Sequence, residues 1–199
     1  MNELPIAVLI SGGGTTLKNL IAHRDEGKLP VEFRIVVSSR SDAGGLQFAR
    51  NANIPTAVIP KKKSQSAEEH SQSVFDPIRR LNVELVVMGG YLQHLLIPKD
   101  FEGRVINVHP SLIPSFCGKG MYGLKVHQSA IDFGVRISGC TVHVVDNEYD
   151  HGPILQQRAC QVFADDTAET LQRRVFELEC IALPDVIRQK AQEHFLQAT

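Results

Sequence analysis

An unbroken apolar run at 6–10, Ile-Ala-Val-Leu-Ile, is closed by Ser11 and three successive glycines. A short run of this kind reads as a strand buried on both faces, the habit of a parallel sheet. Residues 15–23 follow, with Leu17, Leu20 and Ile21 at helical spacing. The alternation then repeats, with a strand at 33–38, a helix at 45–51, a strand at 56–59 and a helix at 67–81. Pro77 lies inside that last helix with Asp76 as a candidate cap, so the helix is expected to kink or restart there. Further strands are expected at 84–88 and 104–108. Strand and helix in regular alternation imply a parallel sheet with right-handed crossovers.

Beyond residue 110 the texture changes. Gly118, Gly120 and Gly123 mark a loop, and 124–133 reads as a helix. Two longer strands, 138–145 and 154–162, are joined by the tight polar segment 146–153. Asp166-Thr-Ala-Glu169 resembles a capping box. It opens a helix with Leu171, Val175, Leu178 and Ala182 on one face and an expected interruption at Pro184. No internal repeat or low-complexity segment is visible. The expected fold is α/β: a mostly parallel, Rossmann-like sheet flanked by helices, with an antiparallel C-terminal strand portion.

Composition narrows the class. With 199 residues the chain fits a single domain, and 43% hydrophobic against 22% charged residues supports a sizeable core. The formal net charge of −1 lacks the basic footprint of a dedicated nucleic-acid binder. The apolar runs are too short to span a bilayer, and the first residues do not resemble a signal peptide. Cys117, Cys140, Cys160 and Cys180 lie far apart without a C-x-x-C pair. That spacing predicts free thiols in a reducing cytosol and argues against a zinc site.

Three places carry candidate chemistry. Ser11-Gly-Gly-Gly-Thr-Thr16 joins a strand to a helix, where glycines let backbone N–H groups point at an anion. It is neither G-x-G-x-x-G nor a P-loop, so a single phosphate fits it better than a nucleoside diphosphate. An ordinary tight turn is the competing explanation. The second place is Asn107-Val-His109 at the end of a strand, fixed beyond by Pro110 and Pro114. Two residues apart, the Asn and His side chains share a face. There Asn offers a donor to a developing oxyanion and His a proton near neutral pH. A hydrogen-bonded structural histidine is the alternative. The third is Asp150, which would orient the imidazole if it lies beside His109, or serve only as a turn residue before Gly152-Pro153.

Together "SGGGTT", "NVHPSLIP", "GCTVHVVD" and "YDHGPILQ" closely resemble the glycinamide ribonucleotide formyltransferases of the formyl-folate transferase superfamily. The resemblance runs from about Ile6 to Pro184, and its Asn-x-His-Pro-Ser element is the most specific part. It implies one formyltransferase domain over 1–199, with a nucleotide- and phosphate-binding half at 1–110 and a folate and catalytic half at 111–199. It implies Asn107, His109 and Asp150 as the catalytic trio. Gly13, Gly14, Thr15, Thr16 and Glu179 would bind glycinamide ribonucleotide. Leu92, Gln93, His94 and Leu95 would contact folate, as would Asn107 and the 146–150 loop. The implied co-substrate is 10-formyltetrahydrofolate, with no metal, no nucleic acid and no membrane. A cytoplasmic monomer or homodimer serving purine biosynthesis is expected. Many relatives carry Asn, Arg and Arg where this chain has Thr16, Gln93 and Ala67. The rival expectations are a formyltetrahydrofolate deformylase, which would place an extra domain before Ile6, and a non-catalytic folate- or nucleotide-binding module. A methionyl-tRNA formyltransferase would need an RNA-binding extension after Phe195.

Overall fold

Residues 3–197 are described in the computed structural model of the chain. In chain order the elements are β1 (Leu4–Ile10), α1 (Thr15–Asp25), β2 (Val31–Ser38), α2 (Gly45–Asn51), β3 (Thr56–Val58), α3 (Ala67–Arg80) and β4 (Leu85–Met88). A 3-10 turn at Lys99–Phe101 leads into β5 (Val105–His109). Then come α4 (Leu124–Phe133), β6 (Ile137–Val144), β7 (Ile154–Gln161) and α5 (Ala168–Gln197). The elements gather into two compact units. One holds the chain up to Ile106 together with the stretch from Ile187 onward; the other is Asn107–Val186.

In the first unit the strand order is β3-β2-β1-β4, followed by the start of β5. The β2–β3, β1–β2 and β1–β4 pairs are all parallel. β1 has neighbours on both edges and both faces covered, so Ile6, Ala7, Val8, Leu9 and Ile10 are all fully buried. That is why its sequence shows no alternation. Ile10 pairs with Ser38 and Leu9 with Met88, so the strands finish level. Ser11, Ser39 and Gly89 therefore emerge side by side at the carboxyl edge, where open α/β sheets place ligands.

α3 begins at Ala67 as expected and departs from expectation at Pro77. Ser66 caps it: its hydroxyl accepts from the Glu69 N–H at 3.1 Å while the Glu69 carboxylate accepts from the Ser66 N–H at 3.0 Å. The helix runs on through Pro77 without restarting, and Asp76 pairs with Arg79 at 3.0 Å rather than capping. Pro77 costs one bond to the Ser73 carbonyl. Burial of Val74, Phe75 and Ile78 holds the helix across that gap.

In the second unit the order is β5-β6-β7, with β6 and β7 antiparallel from Ile137↔Gln161 to His143↔Ile154. A register shift between Val142 and His143 bends the pair next to a polar side chain. Such bulges re-aim side chains and gather near functional sites. The expected interruption of α5 does not occur, since the helix continues past Pro184 for 30 residues in all. Leu171, Val175, Ala182, Leu183 and Val186 are buried along it, which outweighs one missing backbone bond. Its cap also lies one residue later than expected. Thr167 Oγ1 accepts from the Thr170 N–H at 3.3 Å, and Thr170 Oγ1 accepts from the Thr167 N–H at 2.9 Å. Asp166 instead receives Arg174 at 2.7 and 2.8 Å.

Candidate active site

β5 carries Asn107 and His109 on one face, and the second unit brings Asp150 to them. His109 is buried, and both of its ring nitrogens face acceptors. Nε2–H donates to the Phe116 carbonyl at 3.0 Å, while Nδ1 lies 3.5 Å from Asp150 Oδ2. The same carboxylate oxygen accepts the Gly118 N–H at 2.8 Å, which fixes its direction. Phe116 and Asp150, the two residues that meet the imidazole, both have left-handed backbones, with φ of 51° and 52°. Left-handed non-glycine residues cost free energy and concentrate at functional sites. Here the strain aims a carbonyl and a carboxylate at one histidine.

Asn107 is held by a residue that the sequence analysis did not single out. Its Nδ2 lies 3.2 Å from His143 Nε2, while His143 Nδ1 lies 2.9 Å from the Val144 carbonyl. A carbonyl only accepts, so Nδ1 carries the proton. Burial holds the His143 pKa below its ordinary value, which keeps the ring neutral and leaves Nε2 as an acceptor for Asn107. The amide orientation follows: one Nδ2 hydrogen is tied to His143 and the other remains for a ligand. A signal was available. Thr141 and His143 alternate as polar residues on one face of β6, and both are buried. Thr141 Oγ1 donates to the Ser111 carbonyl at 2.7 Å and accepts the Ile113 N–H at 3.0 Å. β6 thus fixes the proline-bounded exit of β5 as well as Asn107.

Glu179, on α5, is the other unusual group in this unit. Burial pushes its carboxyl up to about 8. At neutral pH it is largely protonated and able to donate as well as accept.

The glycine turn belongs to the first unit. Gly14 has φ of 73° and lies so close to Gly45 that any Cβ would collide with its backbone, so that glycine is demanded by packing. Gly12 and Gly13 differ. A Cβ on either would meet nothing within 4 Å, and neither has a left-handed φ. Protein packing does not require glycine there, whereas close approach of a ligand to the backbone does. α1 starts here with no side-chain cap and no acidic residue in its first turn, so its amino-terminal dipole is unneutralised. Thr15 is exposed and Thr16 half-buried at that terminus. Leu92, Gln93, His94 and Leu95 form an irregular segment after β4; Leu92 is exposed and Leu95 buried.

Two imidazoles and a carboxylate meet in the second unit, yet the nitrogens are engaged with the Phe116 carbonyl and Asn107. Among the described residues no group of three His, Cys, Asp or Glu side chains could hold a metal ion. All four cysteines are free thiols. No helix among the described residues is long and apolar enough to cross a membrane.

A polar pair at the end of β5, oriented from β6 and from a strained loop, is acyl-transfer geometry, and residues 4–187 match the formyl transferase family model. The chain belongs to that family. Among its members the chain is 38% identical to phosphoribosylglycinamide formyltransferase of Haemophilus influenzae, covering 92% of this chain and 85% of that protein. It is 39% identical to the chloroplastic phosphoribosylglycinamide formyltransferase of Vigna unguiculata over 96% of its own length, and spans only 62% of that longer protein. The structure of glycinamide ribonucleotide transformylase 1 from Symbiobacterium toebii superposes with a TM-score of 0.87 at 34% identity, over 96% of this chain and 89% of that one.

Proposed function

We propose that the protein transfers the formyl group of 10-formyltetrahydrofolate to the amine of glycinamide ribonucleotide, giving formylglycinamide ribonucleotide and tetrahydrofolate. The observation that carries this reading is the arrangement around His109 and Asn107, two oriented donors at the end of one strand with Asp150 behind the imidazole. The neutral amine attacks the formyl carbon, and the C–O π pair moves onto oxygen. The free Nδ2–H of Asn107 and an N–H of His109 stabilise that oxyanion. As an imidazolium, His109 keeps Nδ1–H on Asp150 and exchanges the Phe116 carbonyl for the reacting group at Nε2, which gives its proton to the folate nitrogen and takes one from the amine. Collapse of the intermediate breaks the bond to the folate nitrogen, which takes up the proton that the amine gives up, through His109. Asp150 orients the ring and supports its positive charge.

The glycine turn, with Gly13, Gly14, Thr15 and Thr16, takes the phosphate in this reading, and Glu179 takes a sugar hydroxyl. Leu92, Gln93, His94, Leu95 and Asn107 contact the folate. No metal is required, because both charges that develop are met by side chains. One formyltransferase domain, cytoplasmic and monomeric or dimeric, with two small-molecule substrates, is the organisation that accompanies it. Mass spectrometry of the nucleotide after incubation with both substrates tests the reading. Gain of one formyl group on the amine is expected, and an unmodified nucleotide with the folate intact would reject it.

A further inference from the structure

The segment after β4 belongs to no helix or strand, and its backbone is held at two points by serine hydroxyls from elsewhere in the first unit. Ser11 Oγ accepts the Leu92 N–H at 2.9 Å. The Ser11 N–H donates to the Gly90 carbonyl at 3.0 Å, and its hydroxyl is braced by Ser39 Oγ at 2.6 Å. Four residues on, the Leu96 N–H donates at 2.8 Å to Ser71 Oγ, whose own proton goes to the Ala67 carbonyl at 2.8 Å. Both serines are buried, 3% and 2% exposed. Between the two points, Leu92 faces outward at 54% exposure while Leu95 is 3% exposed.

We infer that Ser11 and Ser71 are positioning residues that pre-form the 92–95 segment for the formyl donor. The inference rests on the proposed function, which assigns that segment to folate. A loop outside helix and strand that is not held beforehand must be ordered at the moment of binding, and that ordering weakens affinity. Two acceptors placed on rigid elements remove the cost beforehand. Ser11 also begins the glycine turn, so one residue serves the segment and the turn. Ser71 is not part of the turn, which makes it the cleaner probe.

The experiment compares Ser71→Ala and Ser11→Ala with a matched control, Ser73→Ala, whose hydroxyl donates to the Glu69 carbonyl of the same helix and accepts from Gln65 outside the 92–95 segment. Loss of one such bond should raise KM for 10-formyltetrahydrofolate about fivefold to tenfold in both variants, with kcat within about twofold of the parent. Ser71→Ala should leave KM for glycinamide ribonucleotide unmoved, and Ser73→Ala should change nothing. Amide exchange supplies a readout independent of turnover: Leu96 should exchange faster in Ser71→Ala and Leu92 faster in Ser11→Ala. Unchanged folate KM in both variants would overturn the inference, as would equal damage to both substrates in Ser71→Ala or unprotected Leu92 and Leu96 amides in the parent. Absence of turnover by the parent would instead overturn the proposed function and the substrate assigned to the segment, while exchange still decides whether the serines hold it.

Discussion

Replacing Glu179 with Gln should stabilise the fold while harming the reaction. The carboxyl ionises near 4.5 in an unfolded chain, and burial raises that to about 8 in the folded one. Between those two values the folded state holds a proton that the unfolded state has lost, so stability falls as pH rises. Below 4.5 both states are protonated and the group contributes nothing; above 8 the penalty is complete and constant. At about 1.4 kcal/mol per pH unit, the span from 4.5 to 7 gives a penalty of at most about 3.5 kcal/mol, an upper bound because the residue keeps partial exposure. Gln keeps the shape and cannot ionise. Urea unfolding of parent and variant at pH 4.5, 6, 7 and 8 should therefore show a gap near zero at the acid end that widens in favour of Gln up to pH 8. Other groups titrate alike in both proteins and cancel in the difference. The same substitution should raise KM for the phosphorylated substrate, because the proposed function gives this carboxyl a sugar hydroxyl of that substrate. A gap that does not change with pH, or a variant less stable than the parent at pH 7, would refute the reasoning.

Other outcomes are sharper in kinetics. Asn107→Ala and His109→Ala should each lower kcat at least about 100-fold, the scale of one oxyanion donor or one general acid, and near-parental turnover in either would remove its role. His143→Ala should lower kcat about tenfold with little change in either KM, since it frees the Asn107 amide to turn while leaving it present; a kcat equal to the parent's would show that the amide needs no anchor. Gly13→Val should raise KM for glycinamide ribonucleotide and leave the melting temperature nearly unchanged, whereas Gly14→Ala should lower the melting temperature through its clash with Gly45. Equal thermal damage from both would return the turn to a purely structural role. Ser66→Ala should cost about 1 kcal/mol of stability by uncapping α3, read as a shift in the urea midpoint.

Much of this was visible in residue order, for reasons that differ by element. The strand–helix alternation was legible because burial on both faces forces unbroken apolar runs, as in β1 and β4. Asn107 and His109 could be placed together because alternation along a strand is local geometry. Asp150 could not be placed from spacing, since its position depends on the path of the 146–153 loop and on a left-handed backbone at Asp150 itself. Its assignment came from the family resemblance. The errors lay at proline and at caps. Pro77 read as a kink or restart and Pro184 as an interruption, but both helices continue, because buried residues on either side outweigh one lost hydrogen bond. The capping box of α5 slipped by one residue because Asp166 was taken by Arg174. His143 left a trace, a polar alternation on one face of β6, whereas the holding role of Ser71 left none. A serine in a helix looks the same whether or not a distant N–H finds it.

In the proposed function the His109 site passes a formyl group to an amine and not to water. The most direct measurement is the rate of tetrahydrofolate release from 10-formyltetrahydrofolate, with and without glycinamide ribonucleotide, in a chelating buffer. Release that depends on the amine, matched one for one by formylated nucleotide and unaffected by the chelator, is expected. Release at the same rate without the amine would make the protein a hydrolase and contradict the account.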